Sequence, residues 1–212
     1  MIPRIKICGI TRTEDAMTAA HLGVDALGFI FVKKSPRFID IQAAAEIIRE
    51  LPSFVNRVGV FIDEPIENIV EICRITMIDT VQLHGSETPE FCTKVPFPVI
   101  KSISVQEDTE ISVIDSYKTS AILLDTWSTG TSGGTGKTFD WRIAQRATLR
   151  NEHIILAGGL GPSNIEDALQ AVQPYGVDIN SGVEIKPGVK NPHKMRDVVR
   201  MVRNFTNQSN RF

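Results

Sequence analysis

Four side chains in this 212-residue sequence have the types and settings for proton-transfer and anion chemistry: Cys8, Arg37, His84 and Asp125. A packed cysteine is inert, but a thiol near a cation or a helix N-terminus can give up its proton and act as a general base or nucleophile. Asp125 closes the run Ala-Ile-Leu-Leu-Asp, where a carboxyl held against apolar walls would stay protonated and could donate that proton; an N-cap or ion pair is the plainer alternative. Arg37 follows Lys33-Lys34-Ser35-Pro36 and could grip a carboxylate bidentately, unless the loop is simply basic and solvated. His84 reads as a hydrogen-bonded wall of a binding pocket rather than as a proton shuttle. Two glycine pairs complete the set. Gly158-Gly159 and Ser181-Gly182 leave backbone N–H groups open to close approach by an anion, and read as a phosphate cradle rather than as mere tight turns. The loop spanning 130–138 ends in Gly-Lys-Thr, but a P-loop needs glycine where Thr131 stands, so Gly133, Gly134, Thr135 and Gly136 read instead as a mobile loop over a bound ligand.

These residues must be positioned by strand ends. Eight β-rich runs can be marked, beginning at Ile5, Ala26, Arg57, Thr80, Pro98, Ala121, Ile154 and Val177, with starts 18 to 33 residues apart. That spacing leaves room each time for a loop, a helix and a return, so it predicts a parallel sheet of β-α units. Helix starts are signed by Thr11 with Glu14 and Ser163 with Glu166 as capping boxes, and by proline after Glu64, Thr88 and Asn191. Apolar stripes such as Met195, Val198, Val199 and Val202 repeat with helical period. A doubly wound open sheet would place a dinucleotide fingerprint after its first strand, where Cys8-Gly9-Ile10-Thr11 stands. The expectation is an α/β fold, a single-domain (β/α)8 TIM barrel with a closed parallel sheet over residues 1–205 and a polar tail over 206–212. In such a barrel the C-terminal strand ends converge on one face, which collects Cys8, Arg37, Asp63, His84, Asp125 and both glycine pairs.

Bulk properties narrow the partners. The chain is 42% hydrophobic and 23% charged with a net charge of -2, so nothing marks it for nucleic acid or an anionic membrane. With no apolar run of about 20 residues and no signal-peptide pattern, it reads as soluble and cytoplasmic. Cys8, Cys73 and Cys92 show neither disulfide-framework nor zinc spacing, and Cys73 reads as inert packing on a helix stripe. A small phosphorylated molecule is the expected ligand, with no metal, and a monomer the expected state, a homodimer being the alternative.

Seven ordered blocks then carry a resemblance over nearly the whole chain: Lys6-Ile7-Cys8-Gly9-Ile10-Thr11, Ser35-Pro36-Arg37, Val58-Gly59-Val60-Phe61, Val81-Gln82-Leu83-His84-Gly85, Gly133-Gly134-Thr135-Gly136-Lys137, Leu156-Ala157-Gly158-Gly159-Leu160 and Asn180-Ser181-Gly182-Val183-Glu184. The sequence strongly resembles the phosphoribosylanthranilate isomerases of tryptophan biosynthesis. The resemblance implies a general base at Cys8, a general acid at Asp125, a contact to the anthranilate carboxylate at Arg37 and a substrate-contacting aspartate at Asp178. It also implies an Amadori rearrangement that needs no cofactor. Asn180 departs from the serine that many relatives carry there, so the phosphate site is where local geometry would differ. Competing readings are a neighbouring phosphate-binding barrel enzyme, which would show a catalytic lysine and glutamate or a metal-binding set, and a barrel that binds its ligand without turnover.

Overall fold

Strands such as Ile5-Lys6-Ile7 and Val81-Gln82-Leu83 alternate large aliphatic residues with polar ones, so one face of each can pack on helices while the other meets the opposite strands. The structure, a computed structural model, describes residues 2–105, 110–125 and 141–205. It shows a closed parallel barrel in sequence order: β1 (Arg4–Ile7), β2 (Ala26–Ile30), β3 (Asn56–Phe61), β4 (Thr80–Leu83), β5 (Val99–Ser104), β6 (Ala121–Asp125), β7 (Ile154–Ala157) and β8 (Gly176–Ile179), with β8 pairing back onto β1. Helices α1 (Thr13–His21), α2 (Ile41–Arg49), α3 (Ile66–Thr76), α4 (Pro89–Lys94), α5 (Trp141–Thr148), α6 (Ile165–Val172) and α7 (Pro192–Asn204) occupy the crossovers. Between β5 and β6 the described residues carry a 3-10 helix, Ile111–Ser116, in place of an α-helix, and a short antiparallel pair, β9 (Glu184–Lys186) and β10 (Val189–Lys190), intervenes before α7. The TIM-barrel expectation holds. The loop read as mobile, Gly133 to Gly136, and the tail 206–212 lie outside the described residues.

Alternation decides what reaches the interior. Ile5, Ile7, Val81 and Leu83 belong to the main apolar core shared with the helices, whereas Val58, Ile100, Leu123 and Ile155 form a separate cluster inside the barrel. Above it, Cys8, Ile30 and Val60 make a third, smaller cluster. The same parity turns Lys6 and Gln82 inward, and both are nearly fully buried. Register then sets Lys6 directly opposite Asp178.

The helix starts differ from expectation in two places. Thr11 does not cap α1: its hydroxyl donates to the Gly188 carbonyl at 2.5 Å, and the N-cap position falls to Arg12 without a side-chain bond. Nor does Ser163 cap α6, where Asn164 takes the N-cap position and accepts from the Gly161 N–H instead. In both, a side chain able to cap is drawn to a neighbouring loop, a competition open to any short polar residue. Thr88 and Asn191, each followed by proline, do cap α4 and α7.

Candidate active site

A cavity of about 390 Å³ opens at the C-terminal strand ends, lined by Cys8, Arg37, His84, Asp125, Gly158, Gly159, Asp178 and Ser181 together with Gln82 and Asn180. Eight of the residues singled out from the sequence therefore meet in one place. A cavity of about 450 Å³ at the opposite, N-terminal end is lined mainly by strand starts, with Arg4, Lys6 and Asp25 as its charged residues. Catalytic loops in a parallel barrel sit at the other face, where the residues singled out from the sequence gather.

Cys8 extends β1 by donating its N–H to the Ile179 carbonyl at 2.9 Å, which fixes the thiol at the cavity floor. Gly28 makes room: a Cβ there would stand 2.7 Å from Cys8 Sγ and 3.0 Å from Lys6 Nζ. Lys6, which the sequence reading passed over, is buried and donates to Asp178 Oδ1 at 2.9 Å. Burial pushes the Cys8 thiol above its ordinary range, Asp178 adds to this, and the Lys6 ammonium opposes both without overcoming them. The expectation of a thiol acidified by a nearby cation is thus corrected: the cation is present, but desolvation wins in the free protein. Lys6 itself stays firmly charged, because Asp178 and Cys8 outweigh the burial that pulls its ammonium down. For Cys73, by contrast, burial alone acts, pushing the thiol up to about 12, in keeping with inert packing.

Lys6 is therefore the charge against which a Cys8 thiolate would form. Replacing it by methionine is expected to lower kcat/KM about a hundredfold. It should also destabilise the fold by about 3–5 kcal/mol, because Asp178 would be left as an unpaired buried carboxylate. Thiolate absorbance followed against pH, alongside thermal melting, checks both; an unchanged thiol titration would remove Lys6 from this role.

Asp125 ends β6 and His84 follows β4, and their side chains meet with His84 Nε2 3.3 Å from Asp125 Oδ2. Asp125 is 26% exposed rather than sealed against apolar walls, so the imagined environment is replaced by a polar one at the rim. The loop carrying His84 is held from below by a buried pair, Lys101 Nζ donating to Glu87 Oε2 and to the Gly85 carbonyl at 2.7 Å each. Glu87 also accepts from the backbone N–H groups of Asp63 and Gly85. Asp63 is spent on this brace, accepting from Ser86 through Oδ1, and does not line the cavity.

Arg37 lines the cavity but already has a carboxylate. Its Nε and Nη2 donate to Glu184 at 2.9 and 2.7 Å. Glu184 in turn accepts from the fully buried Lys190 ammonium, which also donates to the Asn180 carbonyl and side-chain oxygen. Burial raises the Glu184 carboxyl, yet the hydrogen bonds from Arg37 and Lys190 more than offset this and hold it below the usual range. The side-on edge of the guanidinium is thus occupied, and its end-on pair, Nη1 with Nη2, is what a ligand carboxylate could engage. Asn180, the departure noted in the sequence, has a definite task in anchoring Lys190.

The glycine loops divide their work. Gly158 and Gly159 have φ of 94° and 63°, a region that L side chains rarely adopt, and both line the cavity. Ser181 lines it too, at the start of the one-turn 3-10 helix Ser181–Val183. Gly182 does not; a Cβ there would lie 2.0 Å from the Leu160 carbonyl oxygen, so its glycine lets loops seven and eight touch backbone to backbone. Among the described residues no group of three or more His, Cys, Asp and Glu side chains is placed to hold a metal ion, and no helix is long and apolar enough to cross a membrane.

The profile of the family described as N-(5'-phosphoribosyl)anthranilate (PRA) isomerase matches residues 5–201. An N-(5'-phosphoribosyl)anthranilate isomerase of Pelobacter propionicus is 46% identical over 208 residues, covering 98% of this chain and 99% of that one. A solved structure of monomers of the dimeric phosphoribosylanthranilate isomerase of Thermotoga maritima superposes with a TM-score of 0.86 at 36% identity, covering 96% of this chain and 100% of the other. A phosphoribosylanthranilate isomerase solved in complex with reduced 1-(o-carboxyphenylamino)-1-deoxyribulose 5-phosphate matches with a TM-score of 0.83 at 36% identity and the same coverage.

Proposed function

The chain belongs to the N-(5'-phosphoribosyl)anthranilate isomerase family, and from that membership we infer how its own residues carry out the isomerase step of tryptophan biosynthesis. The reaction converts the aminoaldose N-(5-phosphoribosyl)anthranilate into the aminoketose 1-(2-carboxyphenylamino)-1-deoxyribulose 5-phosphate. The observation that carries the assignment of roles is that Cys8 and Asp125 line one cavity together with the glycine pair Gly158-Gly159 and Ser181.

Asp125 donates a proton to the furanose ring oxygen as the bond from that oxygen to C1 breaks, and the anthranilate nitrogen lone pair moves in to form the C1=N double bond. Cys8, as thiolate, removes the proton from C2; those electrons form C1=C2 and neutralise the iminium nitrogen. The resulting enolamine becomes the ketone when its hydroxyl loses a proton and C1 gains one. The iminium nitrogen is the electron sink, so position and proton transfer suffice and no cofactor is invoked. The backbone N–H groups of loops seven and eight hold the phosphate, Arg37 meets the anthranilate carboxylate through its end-on edge, and Asp178 and His84 complete the sugar site. We propose a monomer as the working state, with a homodimer as the alternative. Three buried free cysteines suit a reducing, cytoplasmic setting.

The experiment that tests this reading follows the fluorescence of freshly generated phosphoribosylanthranilate; a correctly folded protein that never consumes it would move the chain to the non-catalytic reading. Within the same assay Arg37→Ala is expected to raise KM by about ten- to a hundredfold with a smaller fall in kcat, the size of a lost charged hydrogen bond made in ground and transition states alike. An unchanged KM would take Arg37 out of the substrate site.

A further inference from the structure

Gln82 is the buried group that the acid/base pair does not account for. Its side chain is almost fully enclosed, and among the described residues its Oε1 is the one buried side-chain nitrogen or oxygen without a hydrogen-bond partner. Its Nε2 is well employed, 3.2 Å from Ser102 Oγ and 3.3 Å from His84 Nδ1. His84 Nε2 continues the line to Asp125 Oδ2 at 3.3 Å. Gln82 on β4 and His84 just past its end share one parity, and Ser102 of β5 and Asp125 of β6 meet them on that side.

The orphaned oxygen has a chemical reason. A carboxylate only accepts, so for His84 to support the Asp125 carboxylate left after proton transfer its own proton must stand on Nε2, leaving Nδ1 as a bare lone pair. That lone pair needs a donor, and the Gln82 amide nitrogen is the group beside it. Turning the amide over would give Oε1 the Ser102 hydroxyl as donor, yet it would set oxygen lone pairs against Nδ1 unless Nδ1 were protonated. The ring would then face Asp125 with a bare Nε2, ready to accept and keep the proton that the acid must give to substrate. An unsatisfied buried acceptor is costly and calls for an explanation. Holding the histidine in one tautomer supplies it.

Resting on the reading of Asp125 as the general acid, we propose that Gln82 is a positioning residue. Its amide N–H donates to His84 Nδ1 and fixes the Nε2–H tautomer, so that His84 donates to Asp125 Oδ2 and stabilises the carboxylate formed when the acid releases its proton. The logic is that of a histidine oriented by the group behind it, run toward an acid instead of a nucleophile.

The test is ¹⁵N spectroscopy of histidine-labelled protein without substrate, with the His84 signals assigned against His84→Gln, combined with steady-state kinetics. Wild type should show Nε2 protonated and Nδ1 bare. Gln82→Met keeps the length of the side chain but removes the donor and the orphan; it should mix the tautomers and lower kcat about tenfold, with KM within about twofold and no loss of melting temperature. Gln82→Glu presents an acceptor, should protonate Nδ1, and should lower kcat about a hundredfold. Should Gln82→Glu fail to fold, Gln82→Met carries the test alone. A protonated Nδ1 in wild type, or a Gln82→Met protein with wild-type kcat and an unchanged tautomer, overturns the proposal. A lower melting temperature with an unchanged tautomer would do the same, marking Gln82 as structural only. Because the tautomer is read without substrate, a wild type that fails to isomerise counts against the role of Asp125 and not against the reading of the ring.

Discussion

Cys8→Ala is expected to lower kcat by about 10³- to 10⁴-fold while leaving binding of the product analogue near wild type. The size follows from geometry. Once the ring has opened, rearrangement requires a proton to leave C2, and the base must lie deep in the cavity where the thiol is. The other carboxylate near the floor, Asp178, is held by Lys6 at 2.9 Å and is poorly placed to substitute. Serine in place of cysteine should fail as well, since a hydroxyl in that desolvated position ionises far less readily than a thiol. With substrate deuterated at C2, slow proton abstraction would appear as a primary isotope effect. A Cys8→Ala protein of near-normal rate would overturn the thiol as base without touching the isomerase function.

The same thiol sets a direction for the pH profile. Burial raises Cys8 above its ordinary range in the free protein, so the thiolate is the minor form at neutral pH and grows as pH rises. On the limb governed by this group, kcat/KM should therefore increase toward alkaline pH, and a limb that falls as pH rises would argue against a thiolate base. The Lys6 ammonium, two residues earlier along the chain, favours the thiolate once it forms.

Asp125→Asn should be the second most damaging change, lowering kcat by about 10²- to 10³-fold with little effect on KM. The asparagine oxygen can still accept from His84 Nε2, so the pocket keeps its shape while losing the proton that drives ring opening. Aminoaldose rings also open unaided in water, which leaves this variant slow rather than silent and places it above Cys8→Ala in residual rate. Measuring kcat for the two single variants and the pair tells the steps apart. If Asp125→Asn raised KM and spared kcat, Asp125 would be a binding residue and the acid would have to be sought elsewhere.

The barrel was legible because its evidence is repeated: eight β-rich runs at crossover spacing constrain one another in a way no single segment can. The cavity lining was legible where a singled-out residue falls at a strand end, as with Cys8, His84, Asp125, Gly158, Gly159 and Ser181, whereas Gly182 serves the contact between loops seven and eight. Lys6 and Gln82 were missed for a common reason. A polar residue between two aliphatics reads as the solvent face of a half-buried strand, but in a closed barrel the second face is interior, so the parity that placed Ile5 and Ile7 outward should have flagged Lys6 as buried. Arg37 was read by type and loop, which cannot disclose that Glu184, 147 residues later in the chain, already occupies one edge of its guanidinium. The misplaced caps at Thr11 and Ser163 show the same limit: a local motif carries no information about the loop that draws the Thr11 hydroxyl to Gly188, or about Asn164 taking the N-cap position of α6.

The backbone contact between Gly182 and Leu160 bears on how such barrels can be re-engineered. Loops seven and eight behave as one cassette: a graft that brings in loop eight with any side chain at position 182 drives a carbon onto the Leu160 carbonyl, and the collision is with backbone, which has no rotamer to retreat into. New specificities on this scaffold are therefore more readily sought in the loops around Arg37 and His84, with the seven–eight cassette transplanted whole or left alone.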